Sequence, residues 1–509
     1  MKNTIFVIDF GSQYSHLIVR RIRELGVEAF LFPADINIDK LKEAKGIILS
    51  GGPQNLSKSN ALRIDKKIFS LGIPILGICY GLQLMSYELG GKIKAINKRE
   101  YGRAKLKILN KSEIFKGINK DQIVWMSHGD QVVKLPRGFE AIASSDNCKY
   151  SAISDEKNKM YGLQFHPEVA HTQNGTKILE NFIKITKVKK SWKMEDFSVT
   201  MIRKIKEQVG DDRVVCALSG GVDSAVAATL VHKAIGKQLT CIFVDTGMMR
   251  KGEVEQIEKT FKTYQKINLI IVDAKAEFLK ALKNIIDPEQ KRKIIGTLFI
   301  RIFEREAKKL GKISWLVQGT LYTDVITSGV SVGKKAVVIK SHHNVGGLPE
   351  KFGFKLIEPL RDLYKDEVRK IGAILGLPKE VVFRQPFPGP GLAVRIIGEV
   401  TKEKLEILKQ ADIIFREEIE KRNLQKDIQQ YFTVLPTIKS VGVQGDSRSY
   451  GYPIILRAVT TRDYMTANYA QIPYEVLTEV STRITNEVKG VNRVLYDITS
   501  KPPGTIEWE

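Results

Sequence analysis

Twice along this chain a short apolar run ends in a glycine-containing loop that reopens directly as a helix, and that unit restricts the architectures open to it. The first follows the run from Pro74 to Ile78 and reads Gly77-Ile-Cys79-Tyr-Gly81-Leu-Gln83; the second follows Arg213 to Leu218 and reads Ser219-Gly-Gly-Val-Asp-Ser224. Further apolar runs from Thr4 to Ile8 and Gly46 to Leu49, with a helical pattern from Tyr14 to Leu25 stopped by Gly26, surround the first. Runs from Leu239 to Val244 and Ile267 to Val272, with a helix from Val222 to Ile235, surround the second. Strands alternating with helices predict a mainly parallel, doubly wound sheet in each region.

At 509 residues the chain exceeds one hydrophobic core of usual size, and two to four domains are expected. The charged, aperiodic stretch Lys187-Val-Lys-Lys-Ser-Trp-Lys193 suits a linker near residue 190. After Arg384, the stretch Gln385-Pro-Phe-Pro-Gly-Pro-Gly391 continues neither a helix nor a central strand, because three prolines remove donors and fix the backbone. Beyond it a helix is expected from Lys402 to Arg422, strands around Thr433 to Val443 and Ile454 to Val459, a helix from Tyr474 to Val488 and a strand from Arg493 to Ile498. The predicted organisation is therefore α/β: two doubly wound domains, at 1–190 and 191–384, followed by an α+β domain at 385–509.

Composition excludes several classes. The run Ile5 to Ile8 is cut short by Asp9, and no stretch approaches the ~18 apolar residues of a membrane span, so neither a signal peptide nor a membrane partner is expected. The four cysteines, Cys79, Cys148, Cys216 and Cys241, are far apart with no CxxC pair, which supports neither a zinc knuckle nor a disulfide framework and fits a reducing cytoplasm. A net charge of +24 raises nucleic acid as a partner, but lysines are interleaved with glutamates, as in Lys402-Glu-Lys-Leu-Glu406. That is how solvated helix faces look, and no nucleic acid is expected.

A cysteine between a buried strand and a helix, flanked by Gly77 and Gly81, has what a nucleophile elbow needs. Small neighbours allow the sharp turn, and the helix N-terminus favours a thiolate. Among the seven histidines His166 is the best base, because Glu168 follows two residues on and shares its face of an extended segment. His128 is the competing base and lacks a carboxylate at that spacing. These residues resemble the class I glutamine amidotransferases, with their GxCxGxQ and HPE motifs. The resemblance implies a Cys79–His166–Glu168 triad that converts glutamine to glutamate and ammonia, with backbone N–H groups of Gly52 and Tyr80 as oxyanion donors. It also implies that Gln83 and the segment Ser127, His128, Gly129 and Asp130 hold the glutamine.

The loop Ser219, Gly220, Gly221, Val222, Asp223, Ser224 points its backbone N–H groups and a helix dipole at one place, which suits an anion. It lacks GxxxxGK[ST] spacing and resembles instead the SGGxDS loop of enzymes that split ATP between its α and β phosphates. By that resemblance the loop binds ATP with Mg2+. Val244, near the end of the next strand, is the expected adenine contact. By the same resemblance Asp223 and Asp324 are the expected metal ligands, and Lys340 is expected in a lid over the triphosphate.

The remaining chain selects the acceptor. RQPFPGPGLAVR from Arg384, VGVQGD at 441–446 and the ending KPPGTIEWE resemble the C-terminal domain of the glutamine-hydrolysing GMP synthetases. That family implies ligation of ammonia to XMP at the expense of ATP, with Arg292, Gln444, Lys501, Ile506 and Glu507 around XMP and a homodimer formed through the C-terminal domain. A transfer-RNA-modifying enzyme would need an RNA-binding module and a sulfur-handling cysteine, and neither is seen. A non-catalytic descendant would show a broken motif, whereas both motifs are intact.

Overall fold

Every second residue of the stretch Asp121–Lys134 is buried up to His128, and that alternation builds a part of the fold the expectations above lack. The computed structural model describes residues 3–12, 14–56, 61–327, 354–444, 446–461 and 466–509, so the expected contact at Lys340 lies outside the described residues. The described residues form two compact units, one up to Phe197 and one from Ser198 onward.

The first unit is organised on a nine-stranded sheet. In spatial order its strands are Glu28–Pro33, Thr4–Asp9, Gly46–Leu49, Ile75–Ile78, Met160–Leu163, Ala152–Asp155, Glu140–Ser145, Lys92–Ile108 and Asp121–Lys134. The first five are parallel, as expected from the strand–helix alternation. The last four add in antiparallel fashion, so the sheet is mixed rather than mainly parallel. In Lys92–Ile108 the exposed Lys105 and Lys107 flank the buried Leu106, the period of a strand with one face in water. The lysine content of that strand hides it from a search for apolar runs.

The second unit contains five parallel strands in the order Asn268–Asp273, Leu239–Asp245, Val214–Ala217, Trp315–Val317 and Lys355–Ile357. Leu239–Asp245 is buried along its whole length, the mark of a strand covered on both faces. A second sheet is built around Ser447–Thr460, which pairs with Gln430–Pro436, Ser440–Gln444, Asn468–Tyr469 and Val491–Asp497. The run expected as one strand from Thr433 to Val443 is two, since Pro436 lacks an N–H and ends the first. The helices Lys402–Lys421 and Tyr474–Glu487 close over this sheet. One continuous core joins Val215, Ile242 and Leu316 of the parallel sheet to Leu392, Leu408, Leu456 and Val480, so the proline-rich stretch is spanned by shared apolar packing.

Candidate functional site

Cys79 caps the helix Tyr80–Glu88 with φ of 51° and ψ of −104°, a backbone region that costs a non-glycine residue energy and is held here by close packing. A Cβ at Gly77 would lie 2.7 Å from the carbonyl carbon of Gly81, and one at Gly81 would lie 2.2 Å from the carbonyl oxygen of Leu49. Only hydrogen fits at either position, which is why the strand turns into the helix within one residue. Gly52 is equally confined, because its Cβ would lie 2.8 Å from the Phe10 carbonyl oxygen. The N–H of Tyr80 opens the helix; its phenol is elsewhere, donating to the Leu62 carbonyl at 2.6 Å.

His166 and Glu168 are 3% and 1% exposed, and Nδ1 of His166 lies 2.7 Å from Oε1 of Glu168. Burial opposes a charge on His166, but Glu168 and then a hydrogen bond with Cys79 raise its pKa well above 6.5. The thiol of Cys79 also lies 3.6 Å from the Ser127 carbonyl oxygen and 3.7 Å from the Gln164 amide nitrogen. Thiol, imidazole and carboxylate are thus buried together. Cys79 and His166 open into a cavity of about 730 Å³ lined also by Gly52, Gln83, Ser127, His128, Gly129 and Asp130. Gln83 itself is 4% exposed and donates to the Asp130 carbonyl at 2.8 Å and to Gln164 at 3.3 Å, so it braces the wall. His128 has no carboxylate two residues on, as expected, but it meets one from elsewhere: Glu100, opposite on the neighbouring strand, lies 3.1 Å from its Nε2.

The loop Ser219–Ser224 joins Val214–Ala217 to the helix Val222–Ile235. The hydroxyls of Ser219 and Ser224 are 3.0 Å apart, and the Gly221 N–H donates to Ser219 at 3.3 Å. Arg384 donates to the Gly220 carbonyl and is paired with Glu253 at 2.6 Å. Asp223 meets Lys365 at 2.5 Å through Oδ2, while its Oδ1 is buried with no hydrogen-bond partner among the described residues. That free carboxylate oxygen suits a hard cation. Asp324 accepts the Leu321 N–H at 2.8 Å within its own turn. The Val244 side chain is in the core, which leaves its backbone for any ligand contact.

Comparison with known proteins covers both sites. Residues 6–185 match the family described as glutamine amidotransferase class-I, residues 417–508 the GMP synthase C terminal domain, and residues 213–288 the arginosuccinate synthase N-terminal HUP domain. GMP synthase [glutamine-hydrolyzing] of Bacillus licheniformis is 57% identical over 99% of this chain and 98% of its own length, and that of Clostridium tetani is 56% identical over the whole of both. The chain belongs to the glutamine-hydrolysing GMP synthase family. As in its GMP synthase relatives, the C-terminal segment is part of the match, and here it is packed rather than frayed.

The buried Arg457 donates to the carbonyls of Thr499, Thr505 and Ile506 at 2.6, 2.9 and 3.4 Å. Ile506 packs with Phe432 and Val434. Glu507 is bound by Arg395 at 2.8 and 3.1 Å and by Gln430 at 2.8 Å. Arg292 reaches the Glu509 backbone carbonyl at 2.6 Å. Lys501 exchanges backbone hydrogen bonds with Ala467 at 2.8 and 3.1 Å. Arg292, Ile506 and Glu507 are thereby fixed around one segment, whereas the backbone of Gln444 ends a separate strand paired to Ser447.

Several residues of this GMP synthase family member escaped sequence reasoning. Gly11, Ser12 and Tyr14 line the thiol cavity, with the Tyr14 ring 5.4 Å from that of His166 and edge-on to it. Their signal was position alone, just past the carboxyl end of a parallel strand. Gln164, Glu100 and Lys365 have no local signal, because each acts on a partner distant in sequence.

Proposed function

We propose that the chain performs glutamine-dependent GMP synthesis by dividing it between the two sites described, with the triad carried by Cys79, His166 and Glu168. The Cys79 sulfur attacks the glutamine carboxamide carbon as His166 accepts the thiol proton, and the backbone N–H groups of Gly52 and Tyr80 hold the developing oxyanion. His166 returns the proton to the leaving nitrogen, which departs as ammonia. Water then hydrolyses the glutamyl thioester to glutamate with His166 as base. The proton-holding tendency that Glu168 gives His166 supports this double role. Gln83, Ser127, His128, Gly129 and Asp130 shape the glutamine pocket, with Asp130 facing the substrate ammonium.

In the second half, the Ser219–Ser224 loop holds the β and γ phosphates of ATP, with Lys340 as a further phosphate contact and Val244 as the adenine contact. The xanthine carbonyl oxygen of XMP attacks the α phosphate, pyrophosphate leaves, and ammonia displaces AMP from the adenyl-XMP intermediate to give GMP. Arg292, Gln444, Lys501, Ile506 and Glu507 form the XMP site in this reading. Glu507, already bound by Arg395 and Gln430, serves to shape it. Asp223, with its free buried oxygen, and Asp324 would hold magnesium, which when bound would offset the charge of the pyrophosphate.

We place the glutaminase in 1–190, the ATP pyrophosphatase in 191–384 and XMP binding and dimerisation in 385–509. A homodimer is supported by exposed Val441 and Val443 on the edge strand Ser440–Gln444 and by Tyr450 opposite. A cytoplasmic location is supported by four cysteines that are all free. No helix among the described residues is long and apolar enough to cross a membrane. The observation that carries the proposal is the buried Cys79–His166–Glu168 cluster in a chain that aligns end to end with its relatives. Release of AMP from ATP and glutamine tests it: release should require XMP, and release driven instead by bulk transfer RNA would refute it.

A further inference from the structure

Three polar side chains of the first unit lie beside the thiol cavity but outside the triad. Glu100 and His128 face each other across the strands Lys92–Ile108 and Asp121–Lys134, and both are buried. The Ser145 hydroxyl, on a third strand, donates to both oxygens of Glu100 at 3.0 and 3.2 Å. A buried carboxylate is tolerated only when well bonded. Burial pushes Glu100 up, yet the bonds from His128 and Ser145 hold it below 4.5, so it remains an anion fixed from two sides.

This pin stands where the strand ladder is interrupted. Ala95 pairs with Asp130 and Glu100 pairs with His128, so the register shifts between these two pairs. Bulges disrupt the ladder locally and re-aim the chain, which makes backbone available to a ligand but loosens the register. The segment so affected, Ser127 to Asp130, lines the cavity and touches the elbow through the carbonyls of Ser127 and Asp130. An ionic hydrogen bond one residue from the interruption restores the lost constraint.

We propose that the Glu100–His128 pair, backed by Ser145, is the positioning device that holds residues 127–130 in register for the amino and carboxylate ends of glutamine. The proposal rests on the reading of the Cys79 cavity as the glutamine site. Neither residue exchanges a proton with substrate. Cys148 is a close neighbour, its sulfur within 4.8 Å of the ligand atoms of both. Burial pushes its thiol up to about 11, so it stays neutral beside the pair.

The test uses full-length Glu100→Ala and Glu100→Gln proteins. In the alanine variant the KM for glutamine should rise about tenfold or more, with kcat changed by less than about threefold. The glutamine variant, which keeps the shape and an acceptor for Ser145, should recover part of that loss. GMP formation from ammonium should be unchanged in both. Alkylation of Cys79 by iodoacetamide, followed on the Cys79 peptide, should keep its rate, while labelling by a glutamine-shaped chloroketone should slow in step with KM. An unchanged KM in the alanine variant overturns the proposal, and so does an iodoacetamide rate that falls as far as the chloroketone rate, since that marks a collapsed elbow. Cys79→Ala in the same titration judges the underlying reading separately: persistent glutamine-dependent synthesis would remove Cys79 from the chemistry and leave the effect of Glu100 on KM standing by itself.

Discussion

The two loop-to-helix junctions look alike in sequence and differ in how much of their geometry is complete before a ligand arrives. At Cys79 the glycines face backbone at 2.2 and 2.7 Å, and Cys79, His166 and Glu168 are all buried, with His166 already bonded to Glu168. At Ser219–Ser224 a Cβ on Gly221 would meet, among the described residues, only the Ser219 hydroxyl at 3.4 Å, and Asp223 and Lys365 neutralise each other. Proton transfer between fixed groups rewards a closed, preorganised site, since misplacement of a base is costly in rate. In the proposed reading a triphosphate enters and pyrophosphate leaves at the loop, which would reward charges that are paired only provisionally.

Four substitutions sharpen or break that contrast. The largest effect belongs to Cys79→Ala, which should lower glutamine-dependent GMP formation by at least about a thousandfold while leaving synthesis from ammonium intact; loss of both in folded protein would mean that the sites are not separable. Asp223→Ala should lower synthesis from either nitrogen source by about a hundredfold, because it acts before ammonia is used. Near wild-type synthesis from ammonium would exclude the loop as the ATP site. Gly81→Ala should destabilise the first unit by about 3 kcal/mol, on the order of 10 °C in its melting temperature, whereas Gly221→Ala should leave the second unit's melting nearly unchanged. Calorimetry showing equal shifts would erase the distinction between a closed and an open junction.

The smallest effect is a pH dependence. Burial lowers the His166 pKa, but Glu168 and Cys79 outweigh it and raise the folded value above 6.5, so the folded chain binds this proton more tightly than the unfolded one. The stability gained is complete below about pH 6.5 and is lost as pH rises through the higher folded value. Glu168→Gln removes most of that gain. The melting difference between wild type and variant should therefore be widest below about pH 6.5 and narrow above it; a gap that widens with pH would reverse the assigned roles.

What the sequence disclosed was local. The helix Val222–Ile235 begins and ends where its pattern predicts, and the elbow is legible because Gly77, Cys79 and Gly81 impose it on their own neighbours. The HPE spacing did bring His166 to Glu168, although the two lie past the strand Met160–Leu163 in a turn rather than in extended chain. The long hairpin that carries His128 was missed because its lysines mask a period-two pattern, and Glu100 could not be assigned to His128 from 28 positions away. In the tail, Lys501 and Glu507 look like a free pair of charges, yet Glu507 is claimed by the buried Arg395, a partner that only the tertiary packing brings near.

The open loop's assigned chemistry can be read in a single product. XMP carrying an oxygen isotope at its xanthine carbonyl, turned over with ATP and glutamine, should pass that oxygen to the phosphate of AMP, because attack on the α phosphate moves it there before ammonia displaces it. Label recovered in inorganic phosphate beside ADP, or lost to water, would contradict the account.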